Sequence, residues 1–174
     1  MDIYLDVLKK EDMKYILEER NKTIGVLRTP FMLTLEQQME FYNNICCNRN
    51  AKSRYFAVRK KHFQEIIGMV GLENIEFENG IGEISIIVGA GYTGVGVGDK
   101  AVEAILNYGF NSLRLQSIYG ECYTCNTNIG FWIKQVKKYN EYSTILPNRK
   151  FLNGEYFDSL YFNFKAENFI KRKE

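Results

Sequence analysis

The chain has 174 residues, a length typical of one domain with an ordinary hydrophobic core. Its 23 basic and 21 acidic side chains give a formal net charge of +2, which lacks the strong positive excess of most nucleic-acid-binding domains. The sequence contains no run of eighteen apolar residues, so it predicts no membrane helix. Its acidic, alternating start, MDIYLDVLKKED, does not resemble a signal peptide. We therefore expect a single cytoplasmic domain over residues 1–174, a monomer or homodimer, with neither nucleic acid nor a membrane as partner.

The first half of the chain predicts two helices between one strand and a run of three more strands. Apolar residues alternate in the strands and recur every three to four positions in the helices. Thr34 and Gln37 have the spacing of a capping box, so the second helix is expected to begin there. Asn79-Gly80 lies between two alternating segments and predicts a hairpin turn. The predicted elements are a strand over 2–8, helices over 10–20 and 34–47, and strands over 54–60, 65–75 and 82–88.

The second half alternates between strands and helices after a glycine-rich segment. Val102, Ile105 and Leu106 lie on one face of a predicted helix, and Trp132 and Val136 lie on one face of another. The predicted elements are helices over roughly 99–111 and 126–138, a strand over 115–124, and strands over 139–146 and 156–164 joined through a connection, PNRKFLNG. The order β-α-α-β-β-β-α-β-α-β-β predicts an α/β fold in which helices flank one mixed sheet.

Five of the fourteen glycines lie within ten positions, 89–98, immediately before a predicted helix. Glycine is tolerated where the chain turns tightly or where a ligand approaches the backbone, and the free N–H groups of a helix start bind phosphate well. A Walker A loop is excluded, because Asp99 separates Gly98 from Lys100 and Ala101 replaces the hydroxyl that would bind magnesium. A dinucleotide fingerprint is present at Gly89, Gly91 and Gly94, but the strand before it ends an antiparallel run and does not open a βαβ unit.

A third interpretation takes residues 94–98 as a phosphate-binding loop with the helix beginning at Asp99 and Lys100. Successive N–H groups from about Val95 to Lys100 would then point at a pyrophosphate. With this loop and this order of elements the sequence resembles the GNAT acetyltransferases, whose acetyl-CoA site is a [QR]-x-x-G-x-[GA] turn between the fourth strand and the third helix. Asn126 follows the fifth strand, like the asparagine that opens the family's second CoA-contacting segment.

The resemblance implies a mostly antiparallel sheet of six to seven strands, about four helices, and acetyl-CoA as the cofactor. Two positions depart from the family pattern, since Thr93 replaces the first motif residue and Ile133 occupies the usual tyrosine position. Pantetheine is expected along the edge of the fourth strand, and the diphosphate on the loop. The implied cofactor-binding residues are Ile86, Ile87, Val88, Thr93, Gly94, Val95, Gly96, Val97, Gly98, Asp99, Lys100 and Asn126.

The implied reaction is N-acetylation by direct transfer in a ternary complex. An alkylamine is mostly protonated at pH 7, so the site needs a proton acceptor. Glu83, at the head of the fourth strand, is our candidate base, and Glu121 is the alternative. With Ile133 in the tyrosine position, Tyr139, Tyr142 or water would protonate the leaving thiolate.

The segment between the first two helices is expected to wall the acceptor site. There Arg20, Asn21 and Arg28 offer donors for a phosphate or carboxylate, although they would serve equally to order a loop. The pattern resembles the branch that modifies ribosomal proteins and its relatives that act on amino sugars. A primary amine of a small molecule, such as a nucleotide-linked amino sugar, or a protein N-terminus is therefore the expected acceptor. A CoA-binding module without catalysis is the alternative.

The four cysteines do not predict a metal site. Cys122 and Cys125 form a lone C-x-x-C, whereas a four-ligand zinc site needs a second pair of ligands at suitable spacing. The single histidine, His62, lies in a lysine-rich turn. We expect reduced thiols and no metal.

Overall fold

The computed structural model describes residues 1–172, so the last two residues of the expected 1–174 domain lie outside the described residues. Within these residues seven strands form one sheet, and five α-helices flank it. The strands are β1 (Ile3–Val7), β2 (Arg54–Lys60), β3 (Ile66–Glu76), β4 (Ile81–Val88), β5 (Ser117–Tyr123), β6 (Ser143–Leu152) and β7 (Glu155–Lys165). The helices are α1 (Asp12–Lys22), α2 (Leu35–Phe41), α3 (Val97–Asn107), α4 (Ile129–Lys138) and α5 (Ala166–Lys171).

The sheet has the strand order β1-β2-β3-β4-β5-β7-β6, and β4 and β5 are its one parallel pair within residues 1–172. The parallel register covers three residue pairs, from Ile81 opposite Ser117 to Glu83 opposite Tyr119. Beyond Glu83 no register pair joins β4 to β5 in the described residues, so the two strands diverge there. This divergence opens the middle of the sheet and positions the functional site.

Apolar side chains cover the two faces of the sheet differently. One face packs against α3, α4 and α5 in the main core, which includes the fully buried Val102, Ile105 and Phe164. The other face packs against α1 in a smaller core around Met13 and Ile16. Neighbouring residues of a strand point to opposite faces of the sheet. In β4, every second residue points into the main core, and the residues between them therefore face the α1 side.

The predicted α/β fold is confirmed, with local corrections. Helix α4 begins at Ile129 and not at 126, and β6 begins at Ser143 and not at 139. Residues 147–152 are strand and not connection, because the tight turn of the last hairpin is Asn153-Gly154, both with positive φ. Helix α5 was not predicted. Helix α3 begins at Val97, two residues before the predicted start, because Gly96 adopts the left-handed conformation that ends the loop. No helix within the described residues is both long enough and apolar enough to cross a membrane.

Candidate active site

The glycine loop forms one wall of a cavity of about 440 Å³, the glycine-loop cavity. Its other wall is the start of α4, and its floor is the end of β4. Two of the predicted edge residues, Ile86 and Val88, line it, whereas Ile87 points to the opposite face. The lining residues are Ile86, Val88, Tyr92, Thr93, Gly94, Gly96, Gly98, Asp99, Asn126, Asn128, Gly130, Phe131, Trp132 and Lys134.

The backbone of this loop is arranged to receive an anion. Gly94 and Gly96 have φ of +75° and +83°, and a Cβ added at either position would meet no atom within 4 Å. Within residues 1–172 the N–H groups from Gly94 to Asp99 have no hydrogen-bond partner, as expected for the first turn of a helix. Free N–H groups at the positive end of a helix dipole suit a phosphate, so these residues fit the diphosphate of acetyl-CoA.

The two charged residues of the first turn differ in position, since Asp99 lines the glycine-loop cavity as predicted and Lys100 does not. The N–H of Lys100 donates to the carbonyl of Gly96 at 3.3 Å, and its ammonium is 2.7 Å from a carboxylate oxygen of Asp2, so Lys100 lies outside the glycine-loop cavity. Gln135 donates to the Asp99 carboxylate at 2.7 Å, and Lys134 is 3.5 Å from the same oxygen. The Asp99 carboxylate is therefore paired with two residues of α4, Lys134 and Gln135, and not with Lys100.

Of three other predicted loop residues, Thr93 lines the cavity, whereas Val95 and Val97 do not. The Thr93 hydroxyl donates to the carbonyl of Ala90 at 3.0 Å and closes the preceding turn. Val95 is half exposed on the outside of the loop, and Val97 is fully buried in the main core. These residues supply backbone N–H groups to the loop, and their side chains serve other purposes.

A second cavity, of about 490 Å³, lies on the α1 side of the divergence between β4 and β5. We call it the carboxylate cavity. It shares Ile86, Asn126 and Trp132 with the glycine-loop cavity. The two cavities therefore meet where the strands separate. The polar side chains that line the carboxylate cavity include Arg20, Arg28, Gln38, Tyr55, Glu73, Glu83, Ser85, Glu121, Tyr123 and Asn126.

Glu83, the predicted base, is buried in the wall of the carboxylate cavity and hydrogen-bonded at both oxygens. Arg28 approaches it with both terminal nitrogens, at 3.1 Å for one and closer for the other. Asn74 donates to the same carboxylate at 2.9 Å. The hydrogen bonds to Glu83 raise the pKa of Arg28 and keep its charge in place. The structure thus brings the predicted base into contact with a residue predicted to bind substrate.

Two further carboxylates line the same cavity. Glu121 accepts hydrogen bonds from Arg149 at 2.9 Å and Ser159 at 2.6 Å. Burial raises its pKa, but these hydrogen bonds and the neighbouring arginines outweigh burial, so the pKa is lowered overall. The other is Glu73, which sequence reasoning missed. Glu73 of β3 lies directly opposite Glu83 of β4 in the sheet, and it accepts a hydrogen bond from Tyr55 at 2.5 Å. Burial raises the pKa of Glu73, and the nearby charge of Glu83 adds to this effect.

Arg20 and Asn21 order the segment of residues 23–34 between α1 and α2, which we call the α1–α2 segment. The guanidinium of Arg20 donates to carbonyls of this segment at 3.1 and 3.4 Å. The Asn21 amide pairs with both main-chain groups of Leu33, at 3.0 and 3.1 Å. Lys150 holds the carbonyl of Leu27 at 2.5 Å. Arg20 and Asn21 therefore order a loop, which was the alternative to substrate binding. Arg20 also lines the carboxylate cavity.

Neither tyrosine predicted as an alternative proton donor lies in a cavity wall. Tyr139 packs on Phe164 and Phe169 in the main core, with its hydroxyl buried, and Tyr142 is almost fully exposed. Three other tyrosines, Tyr55, Tyr92 and Tyr123, do line the cavities, and sequence reasoning singled out none of them. Tyr123 is the one that lies at the end of β5. It is buried in the wall of the carboxylate cavity, and its carbonyl accepts a hydrogen bond from the N–H of Asn126 at 2.9 Å. Its place as the last residue of β5, three positions before Asn126, was the available signal.

The cysteines show no arrangement typical of a metal site. Within the described part of the chain no three His, Cys, Asp or Glu side chains are grouped so as to hold a metal ion. Burial raises the pKa of Cys122 to about 11, with a smaller contribution from Cys125. The Cys122 thiol is therefore protonated at neutral pH and is a poor metal ligand.

Comparisons with known proteins agree with this geometry. A family model described as an acetyltransferase (GNAT) domain matches residues 2–131. The chain belongs to the GNAT acetyltransferase family. The family defines the enzyme class, N-acetyltransferase, and the cofactor, acetyl-CoA, that the sequence predicted.

Individual relatives are more distant. A protein named Uncharacterized N-acetyltransferase p20, from Bacillus licheniformis, is 36% identical over 72 residues, which cover 41% of this chain and 40% of that protein. Spermidine N-acetyltransferase from Vibrio cholerae, solved in complex with CoA and spermine, has a TM-score of 0.84 at 22% identity over 97% of this chain and 98% of its own. Mutant forms of the spermidine/spermine enzyme of the same organism also give 0.84, at 23% identity over 99% and 98%. At this identity the structural likeness shows the fold.

Proposed function

We propose that this protein transfers the acetyl group of acetyl-CoA to a primary amine of a small, positively charged molecule. One observation carries the proposal. The glycine-loop cavity and the carboxylate cavity open on opposite faces of the sheet and share Ile86, Asn126 and Trp132 where β4 and β5 diverge. A cofactor held in one cavity and an amine held in the other would meet at this shared wall. Such an arrangement supports direct transfer without an acyl-enzyme.

The charges of the carboxylate cavity support a cationic acceptor. Three glutamates, Glu73, Glu83 and Glu121, line it. The two lining arginines are already engaged, Arg20 by backbone carbonyls and Arg28 by Glu83 and Glu121. The phosphate of a nucleotide-linked amino sugar would need free guanidinium groups there, so this acceptor has less support than a simple amine. The structural neighbours named for spermidine and spermine add weight to polyamines as the first acceptors to test.

The chain's own residues have distinct roles in this proposal. Acetyl-CoA supplies an activated acetyl group, and the N–H groups from Gly94 to Asp99 would hold its diphosphate. Glu83 receives the proton that the ammonium must lose before the amine can attack. Tyr123 stands beside the shared wall and is our proposed donor of the proton that the departing thiolate needs. Burial of Glu83 keeps bulk water away from the reacting amine.

A panel of amines tests the function. We expect thiol release from acetyl-CoA with spermidine or other small cationic amines. We expect weak or no release with a peptide whose N-terminal amine is neutral, or with a nucleotide-linked amino sugar. Mass spectrometry of the product should show one added acetyl group on nitrogen. Tight binding of acetyl-CoA without thiol release on any amine would favour the alternative, a CoA-binding module without catalysis.

A further inference from the structure

Arg28 stands between two carboxylates of the cavity that we propose receives the acceptor. Its guanidinium donates to Glu83 with both terminal nitrogens and is 3.3 Å from Glu121. The side chains of Glu83 and Glu121 are only 5% and 7% exposed, whereas that of Arg28 is 48% exposed. One half-exposed cation therefore contacts two buried anions, and it is the one cation paired with Glu83 within the described residues, whereas Glu121 is also paired with Arg149.

The α1–α2 segment does not depend on this contact for its position. Arg20, Asn21 and Lys150 hold its main chain through the carbonyls and N–H groups described above. The Arg28 side chain can therefore rotate toward solvent while its backbone stays in place. The anions it would leave keep other partners, because Asn74 still donates to Glu83 and Arg149 still pairs with Glu121.

We infer that the Arg28 guanidinium occupies the position of the acceptor's ammonium group, and that a cationic acceptor must displace it from Glu83. Arg28 is then a specificity-determining residue that acts by competition. A neutral molecule cannot replace its charge, so the internal cation selects for acceptors that arrive protonated. This inference rests on the proposed function, since it assumes a cationic amine in the carboxylate cavity.

Arg28 and the acceptor compete for Glu83. The apparent affinity for the acceptor is therefore the intrinsic affinity multiplied by the fraction of molecules in which Arg28 does not cover Glu83. If Arg28 covers Glu83 about nine-tenths of the time, its removal lowers the acceptor KM by about tenfold. The KM for acetyl-CoA should not change, because Arg28 does not line the glycine-loop cavity. We expect kcat to stay within about threefold, since the Arg28–Glu83 contact is broken before the amine reacts.

The experiment measures both KM values and kcat for Arg28→Ala, with spermidine as acceptor, with and without methylguanidinium chloride. We expect the variant to have the lowered acceptor KM, and methylguanidinium to raise it again by competing with spermidine but not with acetyl-CoA. Arg28→Gln, which keeps most of the side-chain length, should behave like Arg28→Ala. Arg149→Gln is the matched control, because it removes a cation from Glu121 without uncovering Glu83, and its acceptor KM should stay within threefold.

Other results would overturn the inference. A tenfold rise in acceptor KM in Arg28→Ala would mean that Arg28 helps to maintain the acceptor site and does not compete with the acceptor. Arg28→Ala could instead lose kcat, and methylguanidinium could restore kcat without altering the acceptor KM. This result would mean that Arg28 only positions Glu83. If the wild-type protein acetylates no amine, the proposed function fails and the inference fails with it, whereas failure of the inference alone is seen in an active enzyme.

Discussion

The two cavities differ in the part of the chain that builds their binding groups. The glycine-loop cavity presents N–H groups from one continuous stretch, Gly94 to Asp99. The carboxylate cavity presents side chains from β3, β4, β5 and the α1–α2 segment, and the Arg28–Glu83 contact joins residues 55 positions apart. The first cavity is suited to a cofactor that every member of a family shares, and the second to an acceptor that differs between members.

This difference predicts how each cavity responds to substitution. Side chains of the loop can change with little effect, because the main chain provides the contacts. A change of a single atom in the carboxylate cavity alters charge and proton transfer, and should have a large effect on turnover.

The largest effect is expected for Glu83→Gln. The change removes the proposed base while keeping its shape, so kcat should fall by roughly 10²-fold or more while acetyl-CoA affinity is retained. The loss should shrink as the pH rises, because more of the amine then arrives neutral. Steady-state kinetics between pH 6 and about 10 give the measurement. Glu103→Gln is the control, because the Glu103 carboxylate pairs with Lys138 of α4 and lines neither cavity. Full turnover of the Gln variant at neutral pH would exclude Glu83 as base.

A smaller effect is expected for Tyr123→Phe. Loss of the hydroxyl should lower kcat by about tenfold, because water can replace a phenol as proton donor less efficiently. Tyr139→Phe is the matched control, since its buried hydroxyl has no hydrogen-bond partner within the described residues. Equal rates for the two variants would remove Tyr123 from the mechanism.

Glu73→Gln should change stability more than turnover. Because burial raises the pKa of Glu73 above its ordinary value of 4.5, the folded protein binds this proton more tightly than the unfolded chain. The free energy of unfolding should therefore fall as the pH rises above about 4.5, and Gln, which does not ionise, should remove this part of the fall. Urea unfolding at pH 4 and pH 7 measures it. If the difference in free energy of unfolding between Glu73→Gln and wild type is the same at pH 4 and at pH 7, the raised pKa of Glu73 is contradicted.

The smallest effect is expected for Thr93→Ala. The Thr93 hydroxyl closes a turn and donates to Ala90, so its loss should alter acetyl-CoA affinity by less than about twofold. Calorimetric titration with acetyl-CoA provides the measurement. A tenfold loss of affinity would show that a side chain, and not the main chain, holds the cofactor.

The same contrast explains how much of the site the sequence could predict. The glycine loop was predictable because its residues are consecutive and because glycine reports directly on backbone conformation. Glu83 was found from its place at the head of β4. Arg28 was also named as a candidate, but its contact with Glu83 was not predicted, because that contact depends on how a long loop folds back, which no local pattern specifies.

Glu73 and the last hairpin illustrate two further limits. Glu73 faces Glu83 only because of the β3–β4 register, which shifts between Glu73 and Glu76. Alternation alone does not reveal such a shift. Residues 147–152 were predicted as part of a connection, yet they continue β6. Pro147 is tolerated there because β6 lies at the edge of the sheet. Asn153-Gly154 was the stronger signal.

The most direct test of the account compares two glycines of the same geometry. Gly96 and Gly154 have φ of +83° and +88°, and an added Cβ would meet no atom within 4 Å at either position. Replacement by Val strains both backbones alike, but only at Gly96 would the new side chain enter the space that we propose for the phosphate. We predict that Gly96→Val weakens acetyl-CoA binding by at least ~1–2 kcal/mol, measured by calorimetry on the folded protein, and that Gly154→Val does not. Unchanged acetyl-CoA affinity in folded Gly96→Val would contradict the account.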